Sequence, residues 1–289
     1  MRGDRLTLDT LERLRARNFR QVRGRRVRTE AQALAFINEV GFVTLIGLAG
    51  ANLPSLQMAD DRDDWDDYAQ RTLKAKWWWA WKQTLPGRKA CYYAKVLRGR
   101  GTFISWRYLP YFYAAYATGR DVATDYRMGL VPRADKRVMD LLAERGPMDT
   151  HSLRLAYAPP SKENTRQLER ALGRLQAQFR ICCAGGSLEG WTLHRWAVAE
   201  RWAPRRALVR AASLEREQAM GEIVLRYLRT AVAATPADIA WLFRWDRESV
   251  ARVTGALLAS GRLRETHVEG IQGALLRARR CGGASHLRA

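Results

Sequence analysis

The spacing of apolar residues along the chain predicts a mainly helical protein. Leucines recur at helical spacing over residues 6–18. A second helix is predicted over about 30–40, because Thr29 is placed to cap its start and Gly41 ends it. The apolar residues that follow lead into an Asn-Leu-Pro sequence at 52–54, which breaks regular structure.

A pattern of three helices and a hairpin begins near residue 134. An amphipathic helix over 134–146 is followed by a short helix that Asp149 or Thr150 caps, and by a third helix that Ser161 caps. Two apolar strands separated by a Gly-Gly turn then predict a hairpin over 179–194. This order is typical of the winged helix, a relative of the helix-turn-helix.

The same pattern recurs towards the C-terminus. A helix is predicted over 214–230, a second starts at Thr235, a third follows Asp246, and a basic strand from Arg262 opens a wing. An internal repeat is harder to obtain by chance than either copy alone. The predicted fold class is therefore mainly α with small β-hairpin wings, in a tandem winged-helix (helix-turn-helix) architecture.

The length of 289 residues allows two or three compact units. We expect an N-terminal helical, aromatic-rich domain over 1–118, itself a candidate for a divergent winged helix. A linker over 119–132, bounded by Gly119 and Pro132, would join it to a winged helix over 133–204. A second winged helix with a C-terminal extension would occupy 205–289.

Trp, Tyr and Phe side chains are dense over residues 65–116, which also hold five of the seven lysines. Aromatic rings mixed with cations can stack bases and hold phosphates. A large aromatic core with lysine stems lying along it is the favoured interpretation for most of the rings. Lys82 is the candidate DNA contact within this block.

The composition adds a strong positive charge to this picture. Lysine and arginine number 50 against 29 acidic residues, a formal net charge of +21. Such a surplus indicates a polyanionic partner, nucleic acid first, because each phosphate contact releases counterions. A membrane surface is a weaker candidate, since no basic amphipathic helix carries an aromatic face. The acidic run at 60–67 is interpreted as a solvated loop.

The candidate DNA-contacting residues follow from the third helix of each predicted winged helix. An alternative for each of these arginines is an ordinary solvated surface residue. The first copy offers Ser161, Lys162, Asn164, Thr165, Arg166 and Arg170, and the second offers Arg244, Arg247, Ser249 and Arg252.

Several segments of the chain carry the motifs of a known protein family. They are Lys136-Arg-Val-Met-Asp-Leu-Leu-Ala-Glu-Arg-Gly-Pro, Leu168-Glu-Arg-Ala-Leu-Gly-Arg-Leu, Ala234-Thr-Pro-Ala-Asp-Ile-Ala-Trp-Leu-Phe, and in the N-terminal part Phe36-Ile-Asn-Glu-Val-Gly-Phe, Trp79-Ala-Trp-Lys-Gln-Thr-Leu-Pro and Leu109-Pro-Tyr-Phe-Tyr-Ala. These segments resemble the AlkZ (YcaQ)-like bacterial DNA glycosylases. Over about 30–268 the resemblance implies tandem winged helices and excision of bulky alkylated or crosslinked bases. The N-terminal segments are similar to an AlkZ-related branch of unassigned activity.

The chain departs from this family at the catalytic motif. In the glycosylases a Gln-x-Asp or Gln-x-Gln motif orients a water and stabilises charge at the sugar, whereas the matching positions here are Thr44 and Ile46. A Thr hydroxyl is a poor general base, and Ile can neither activate a water nor stabilise a cation. Weak substitutes are Gln57 with Asp60, as a displaced pair, and Glu39, which is more typical of a cap or a surface group.

No other catalytic or metal-binding motif is present. Phosphate-loop, HExxH and GxSxG sequences are absent, and no two of the four histidines share metal-ligand spacing. The histidines in the two hairpins, His194 and His267, suggest surface or phosphate contacts. Cysteine spacing indicates neither a disulfide framework nor a zinc site, and no secretory signal is evident, so we expect a reduced, intracellular bacterial protein.

These observations predict a DNA-binding tandem winged-helix protein, related to alkylation-repair or crosslink-repair glycosylases, without their usual active site. The alternatives are an active glycosylase with non-standard catalytic residues, and a winged-helix protein-interaction module or transcription regulator. The expected partner is double-stranded DNA, bound by a monomer in the cytoplasm at the nucleoid. No cofactor, no metal and no membrane are expected.

Overall fold

A computed structural model describes residues 5–60, 78–187 and 194–279, which form a mainly helical protein with three small sheets. Within these residues no helix is long and apolar enough to cross a membrane. The helices are α1 (Leu8–Asn18), α2 (Glu30–Val40), α3 (Leu56–Ala59), α4 (Trp81–Gly87), α5 (Leu109–Tyr116), α6 (Val122–Arg127), α7 (Arg133–Arg145), α8 (Thr150–Tyr157), α9 (Lys162–Ala177), α10 (Ala199–Trp202), α11 (Arg205–Ala212), α12 (Arg216–Ala231), α13 (Pro236–Phe243) and α14 (Arg247–Ala259). The strands are β1 (Arg5–Leu6), β2 (Phe42–Thr44), β3 (Tyr92–Leu97), β4 (Arg100–Ile104), β5 (Met148–Asp149), β6 (Ile181–Gly186), β7 (His194–Val198), β8 (Leu263–Val268) and β9 (Leu275–Ala278).

Several helices start where a capping side chain accepts from one of their first backbone N–H groups. Thr29 and Thr235 each form a capping box, and Ser161 and Asp246 accept from the backbone N–H three residues on. Asp149, rather than Thr150, caps α8. The predicted helices are therefore confirmed close to their predicted bounds.

Among the described residues, a helix, an extended segment, two helices and a hairpin follow one another in this order three times. In the first unit β2 pairs with the second hairpin strand, β4, and in the second unit β5 pairs likewise with β7. In the third unit Ala234 forms a bridge to Leu276 of β9, again the second strand of the hairpin. The sequence predicted two full copies and treated the N-terminal copy only as a candidate, and the structure gives it the same strand pairing.

The N-terminal segment lies on the third unit. Strand β1 pairs in parallel with β8 and extends its sheet, and Arg15 of α1 donates to the carbonyls of Ala231 and Ala233 at 2.9 and 2.8 Å. Residues 5–18 are thus fixed to elements more than 200 residues away in the chain. The domain boundaries predicted from the sequence stay a prediction.

The three units share one aromatic core. Phe42 of β2, Phe112 of α5 and Phe179, next to β6, lie in the same buried cluster as Tyr227 and Phe243 of the third unit. Phe42 meets Phe112 edge to face at 5.0 Å between ring centroids. Every described ring of the 65–116 block is buried or partly buried, which confirms the core interpretation for these rings, while Trp65, Tyr68 and Trp77 lie outside the described residues.

The segment 119–132 is more than the linker that the sequence predicted. It contains α6, whose N-cap Asp121 accepts from the N–H of Thr124 at 2.7 Å. The buried carboxylate of Asp125 on this helix pairs with Arg180 at 2.5 Å and with Arg120 at 2.6 Å. Because Arg180 lies just before β6, this ion-pair cluster fastens α6 to the second unit.

Candidate nucleic-acid interface

Helix α9 presents a stripe of three cations. Its apolar face buries Leu168, Ala171, Leu172 and Leu175 against the second unit, which turns the opposite face to solvent. Lys162, Arg166 and Arg170 are exposed on that face. Among the residues that the structure describes, none of the three has an ion-pair partner. We call these three residues the α9 stripe.

The α9 stripe has the dimensions of a groove-binding surface. Its members are four residues apart, so they lie on one side of the helix about 6 Å from each other along the axis. The whole stripe spans about 12 Å, close to the roughly 12 Å width of the DNA major groove. Arginine can also donate two parallel hydrogen bonds to a phosphate or to a guanine edge.

The other predicted residues of α9 have structural tasks. Ser161 Oγ accepts from the N–H of Asn164 at 3.0 Å, and Asn164 Nδ2 donates to the carbonyl of Pro159 at 2.8 Å. These bonds fix the turn before the helix, whereas Thr165 is half-buried. The structure thus separates a cationic stripe from the residues that orient it.

Arg174 marks the end of the stripe. Its Nε lies 3.1 and 3.0 Å from the two carboxylate oxygens of Asp135, and a terminal nitrogen lies 2.5 Å from one of them. The Asp135 side chain is fully buried, and its hydrogen bonds raise the pKa of Arg174. This arginine joins α9 to α7, and its guanidinium is already held by a carboxylate.

The third helix of the third unit, α14, keeps its cations closer to carboxylates. Arg252 pairs with Glu217 at 3.0 Å and with Glu248 at 2.7 Å. Ser249 is buried, and its N–H donates to the cap residue Asp246 at 2.7 Å. Of the four residues predicted here, only Arg244 and Arg247 are exposed without a described ion pair.

Lys82 is not on an open surface, contrary to its place among the predicted DNA contacts. The side chain is buried, with Nζ 3.2 Å from the centroid of the Trp79 ring. Burial, with a smaller contribution from nearby Lys95, lowers the pKa of Lys82 to about 7. A half-neutral amine inside the aromatic block is poorly placed to hold a DNA phosphate.

His194 is also unsuited to the phosphate contact that the sequence suggested. Burial, with Lys82 and Lys95 nearby, lowers its pKa to about 3, so the ring is neutral at physiological pH. Its Nδ1 lies 3.2 Å from the Cys183 sulfur. His267, in the other hairpin, is exposed as expected.

The two positions that the sequence analysis aligned with the glycosylase motif hold no reactive group. Thr44 is fully buried in β2, and its hydroxyl donates to the carbonyl of Pro54 at 3.2 Å. Ile46 packs partly buried against the core of the first unit. A hydroxyl that is already bonded inside a sheet cannot position a water against a sugar.

The three residues considered as substitutes for the catalytic motif also make structural contacts. Gln57 Oε1 accepts from the N–H of Gly47 at 3.2 Å, which holds the loop after the motif positions. Asp60 is buried at the end of α3, and its backbone carbonyl accepts from Arg26 at 3.4 Å. Glu39 pairs with Arg20 and with Arg25, so it acts as the surface group that the sequence favoured.

The structure brings together a second group of cations that the sequence did not predict as a group. Arg229, Arg264, Arg277 and Arg279 line one groove beside the third hairpin, together with Asn18. The basic strand at Arg262–Arg264 was noted in the sequence, but its pairing with the Arg277–Arg279 segment depends on the register of the hairpin. The described residues contain no cluster of three or more His, Cys, Asp or Glu side chains able to hold a metal ion.

The fold defined by these units is similar to that of a solved protein. A solved structure, the Streptomyces sahachiroi DNA glycosylase AlkZ, matches with a TM-score of 0.55 and 13% sequence identity, covering 95% of this chain and 70% of that one. At this identity the likeness concerns the fold alone. No curated protein matches the chain.

The family follows from the sequence match. Residues 27–244 match the protein family described as AlkZ related, which is well over half of the chain. The chain belongs to this AlkZ-related family. The resemblance inferred from the sequence motifs is thereby confirmed.

Proposed function

We propose that this chain is a DNA-binding protein of the AlkZ-related family, built from tandem winged helices and lacking the usual glycosylase active site. The observation that carries the proposal is the α9 stripe, three exposed cations with no ion-pair partner among the described residues. Double-stranded DNA is the proposed partner. The proposed setting is the bacterial cytoplasm at the nucleoid, with the protein acting as a monomer without a cofactor.

The order of elements supports the winged-helix part of the proposal. In the first two units the strand after the first helix pairs with the second strand of the hairpin, and in the third unit Ala234 forms a single bridge to that strand, an arrangement typical of the winged helix. In that architecture the third helix is the one that enters the major groove. Helix α9 occupies this place in the second unit, and α14 occupies it in the third.

The chemistry of the first unit supports the absence of the usual active site. The glycosylase reaction needs a polar pair that orients water and stabilises positive charge at the sugar. Here Thr44 is buried with its hydroxyl bonded to Pro54, and Ile46 has no polar atom in its side chain. These two side chains therefore support DNA binding without base excision as the proposed activity.

Fluorescence anisotropy tests this proposal directly. The ligands are intact duplex, duplex with a stable abasic analogue, and single strand, each over a salt series. We expect binding to the duplex whose affinity falls steeply with salt, because each phosphate contact contributes about −0.9 to the slope of log K against log salt. Preference for the abasic duplex would show that lesion recognition survives. Failure to bind nucleic acid at low salt would contradict the proposal and favour a protein-interaction module.

A matched set of variants locates the interface. The variant Lys162→Ala/Arg166→Ala/Arg170→Ala removes the α9 stripe. The control Arg127→Ala/Arg205→Ala/Arg206→Ala removes the same charge from exposed positions on α6 and α11. Only the first variant should lose affinity strongly. Equal losses would mean that net charge, and not this helix, drives binding.

An active glycosylase with displaced residues is the second candidate function, and the position of Gln57 favours it. The backbone N–H of Gln57 donates to the carbonyl of Leu45 at 3.0 Å, so its carboxamide lies next to the motif positions. Base release from an alkylated duplex that disappears in Gln57→Ala would support this function. No release across a broad panel of alkylated and crosslinked bases would exclude it.

A further inference from the structure

Helix α13 of the third unit carries an exposed tryptophan. The Trp241 side chain is 39% exposed, whereas the other described tryptophans are buried or half-buried. A single exposed ring is common on a protein surface and does not by itself mark a binding site. The surroundings of the ring therefore decide what it can bind.

The hairpin of the first unit places an arginine on this ring. The guanidinium carbon of Arg98 lies 4.8 Å from the centroid of the Trp241 ring. Leu97 pairs with Arg100, so the loop of the hairpin consists of Arg98 and Gly99 alone, with φ of 50° and 72°. Two-residue turns with both φ values positive are tight, which restricts the position of the tip. The contact therefore joins the first unit to the third and orients the indole.

A second segment of the first unit passes along the edge of the indole. A Cβ atom added to Gly50, whose φ is +77°, would lie 4.0 Å from Cη2 of Trp241. Gly50 belongs to the loop that follows β2, and Gln57 holds the start of this loop by accepting from the N–H of Gly47 at 3.2 Å. The ring thus lies between this loop and the hairpin tip, and its remaining surface faces solvent.

Positive charge collects on the segments that meet at the ring. The N–H of Arg244 donates to the carbonyl of Trp241 at 3.3 Å, directly after α13. Segments 46–52 and 97–101 contain no acidic residue, and Asp238, one turn before the ring, is held as the capping-box residue of α13. Three arginines of these segments have no ion pair among the described residues, namely Arg98, Arg100 and Arg244. We call Trp241 with these three arginines the Trp241 platform.

We infer that the Trp241 platform binds single-stranded DNA, with an unpaired base stacked on the indole and the neighbouring phosphates held by the arginines. An exposed ring among cations suits a single strand, because every base has a π-face and every nucleotide carries a phosphate. An intact duplex offers the ring no unstacked base. The inference concerns a form of DNA other than the duplex of the proposed function, and it does not depend on the α9 stripe.

A strand without bases tests the stacking step. Anisotropy titrations compare a thymidine oligonucleotide of about 12 nucleotides with an abasic strand of the same length, which has the same phosphates. We expect the wild type to prefer the thymidine strand about tenfold, and Trp241→Ala to reduce this preference about fivefold or more. Trp241→Phe keeps a ring and should retain most of the preference. The matched control is Tyr126→Ala, because Tyr126 is 37% exposed and has Lys136 6.0 Å from its ring centroid.

The arginines should act on both strands alike. Arg100→Gln/Arg244→Gln should weaken binding of the thymidine and abasic strands by a similar factor. The salt slope should become shallower by about 1.4, since each phosphate contact contributes about −0.7 on a single strand. The control Arg127→Gln/Arg205→Gln removes the same charge from exposed positions on α6 and α11, and its slope should change much less.

The outcomes separate this inference from the proposed function. Equal binding of the two strands by the wild type, or a preference that is unchanged in Trp241→Ala, would overturn the inference even if duplex binding is found. A strand preference that is lost in Trp241→Ala, in a protein that binds no duplex, would support the inference while the proposed function fails.

Folding of the variants is checked by thermal unfolding, because the contact of Trp241 with Arg98 also joins two units. Should Trp241→Ala not fold, hydroxyl-radical footprinting of the wild type takes its place. The thymidine strand should then protect Trp241 from oxidation and the abasic strand should not. Equal protection by both strands would contradict stacking of a base on this ring.

Discussion

Helices α9 and α14 occupy equivalent places in the second and third units, but they hold their cations differently. In α9 the cations Lys162, Arg166 and Arg170 face solvent without an ion pair among the described residues. In α14 the central Arg252 is held by two carboxylates, Glu217 and Glu248. An arginine that must leave its carboxylates before it contacts a phosphate gains less free energy from binding. We therefore expect α9 and α14 to contribute unequally to DNA affinity, although they occupy the same position in the fold.

The largest expected effect is the loss of the α9 stripe. Neutralising Lys162, Arg166 and Arg170 to Ala should weaken duplex binding on the order of 100-fold or more, since each cation contributes about one unit of salt slope and an arginine on a base about 1–3 kcal/mol. The parallel variant Arg244→Ala/Arg247→Ala/Arg252→Ala in α14 should lose less than about tenfold. Anisotropy at one fixed salt concentration measures both. A larger loss in the α14 variant would reverse the comparison.

Within α9, Arg174 should affect stability and not DNA binding. Asp135→Asn removes the buried carboxylate that holds this arginine at two oxygens. Breaking a fully buried pair costs about 3–5 kcal/mol. Because the Arg174 side chain is 40% exposed, we expect a smaller loss of about 2 kcal/mol. Urea unfolding measures this loss. At temperatures where the variant is folded, its duplex affinity should stay within about twofold of the wild type, and a tenfold loss would show that Arg174 belongs to the interface.

The comparison also predicts a gain of affinity in α14. The variant Glu217→Gln/Glu248→Gln removes both partners of Arg252, whose exposed ion pairs contribute only about 0–1 kcal/mol to stability. The freed arginine and the lost negative charge should raise duplex affinity about threefold to tenfold and steepen the salt slope by about 1. Adding Arg252→Ala to this variant should remove the gain in slope. A gain that persists without Arg252 would come from net charge alone.

The difference between the two helices was only partly visible in the sequence. Glu248 lies four residues before Arg252, a spacing at which helical ion pairs are expected. Glu217 lies 35 residues away, and only the packing of α12 against α14 brings it to the same arginine. Caps such as Ser161 and Asp246 were predictable because their hydrogen bonds span three residues.

The first unit was hardest to predict because its defining contacts are distant in sequence. Thr44 pairs with Thr102, and no local periodicity records that register. Burial of Lys82 against Trp79 likewise depends on how α4 packs against the second unit's hairpin. The helix within 119–132 had a local signal, the cap residue Asp121, but the glycine and proline at its borders suggested a linker.

The smallest predicted effect concerns the caps of the same two helices. Asp246 caps α14 with a carboxylate, whose pKa is lowered by hydrogen bonds from the backbone N–H and the hydroxyl of Ser249. Ser161 caps α9 with a hydroxyl that does not titrate. A carboxylate with a pKa below its unfolded value of about 3.9 stabilises the fold fully above that pH and loses the contribution as pH falls through the folded pKa.

The loss of stability in variants of the two caps should therefore depend differently on pH. Asp246→Asn should be less stable than the wild type above about pH 4, and the difference should shrink below it. Ser161→Ala should cost about 1 kcal/mol at every pH at which the protein folds. Urea midpoints between about pH 3 and 7 measure both. If the Asp246→Asn difference were independent of pH, the two caps would be equivalent, and α9 and α14 would differ only in how they hold their arginines.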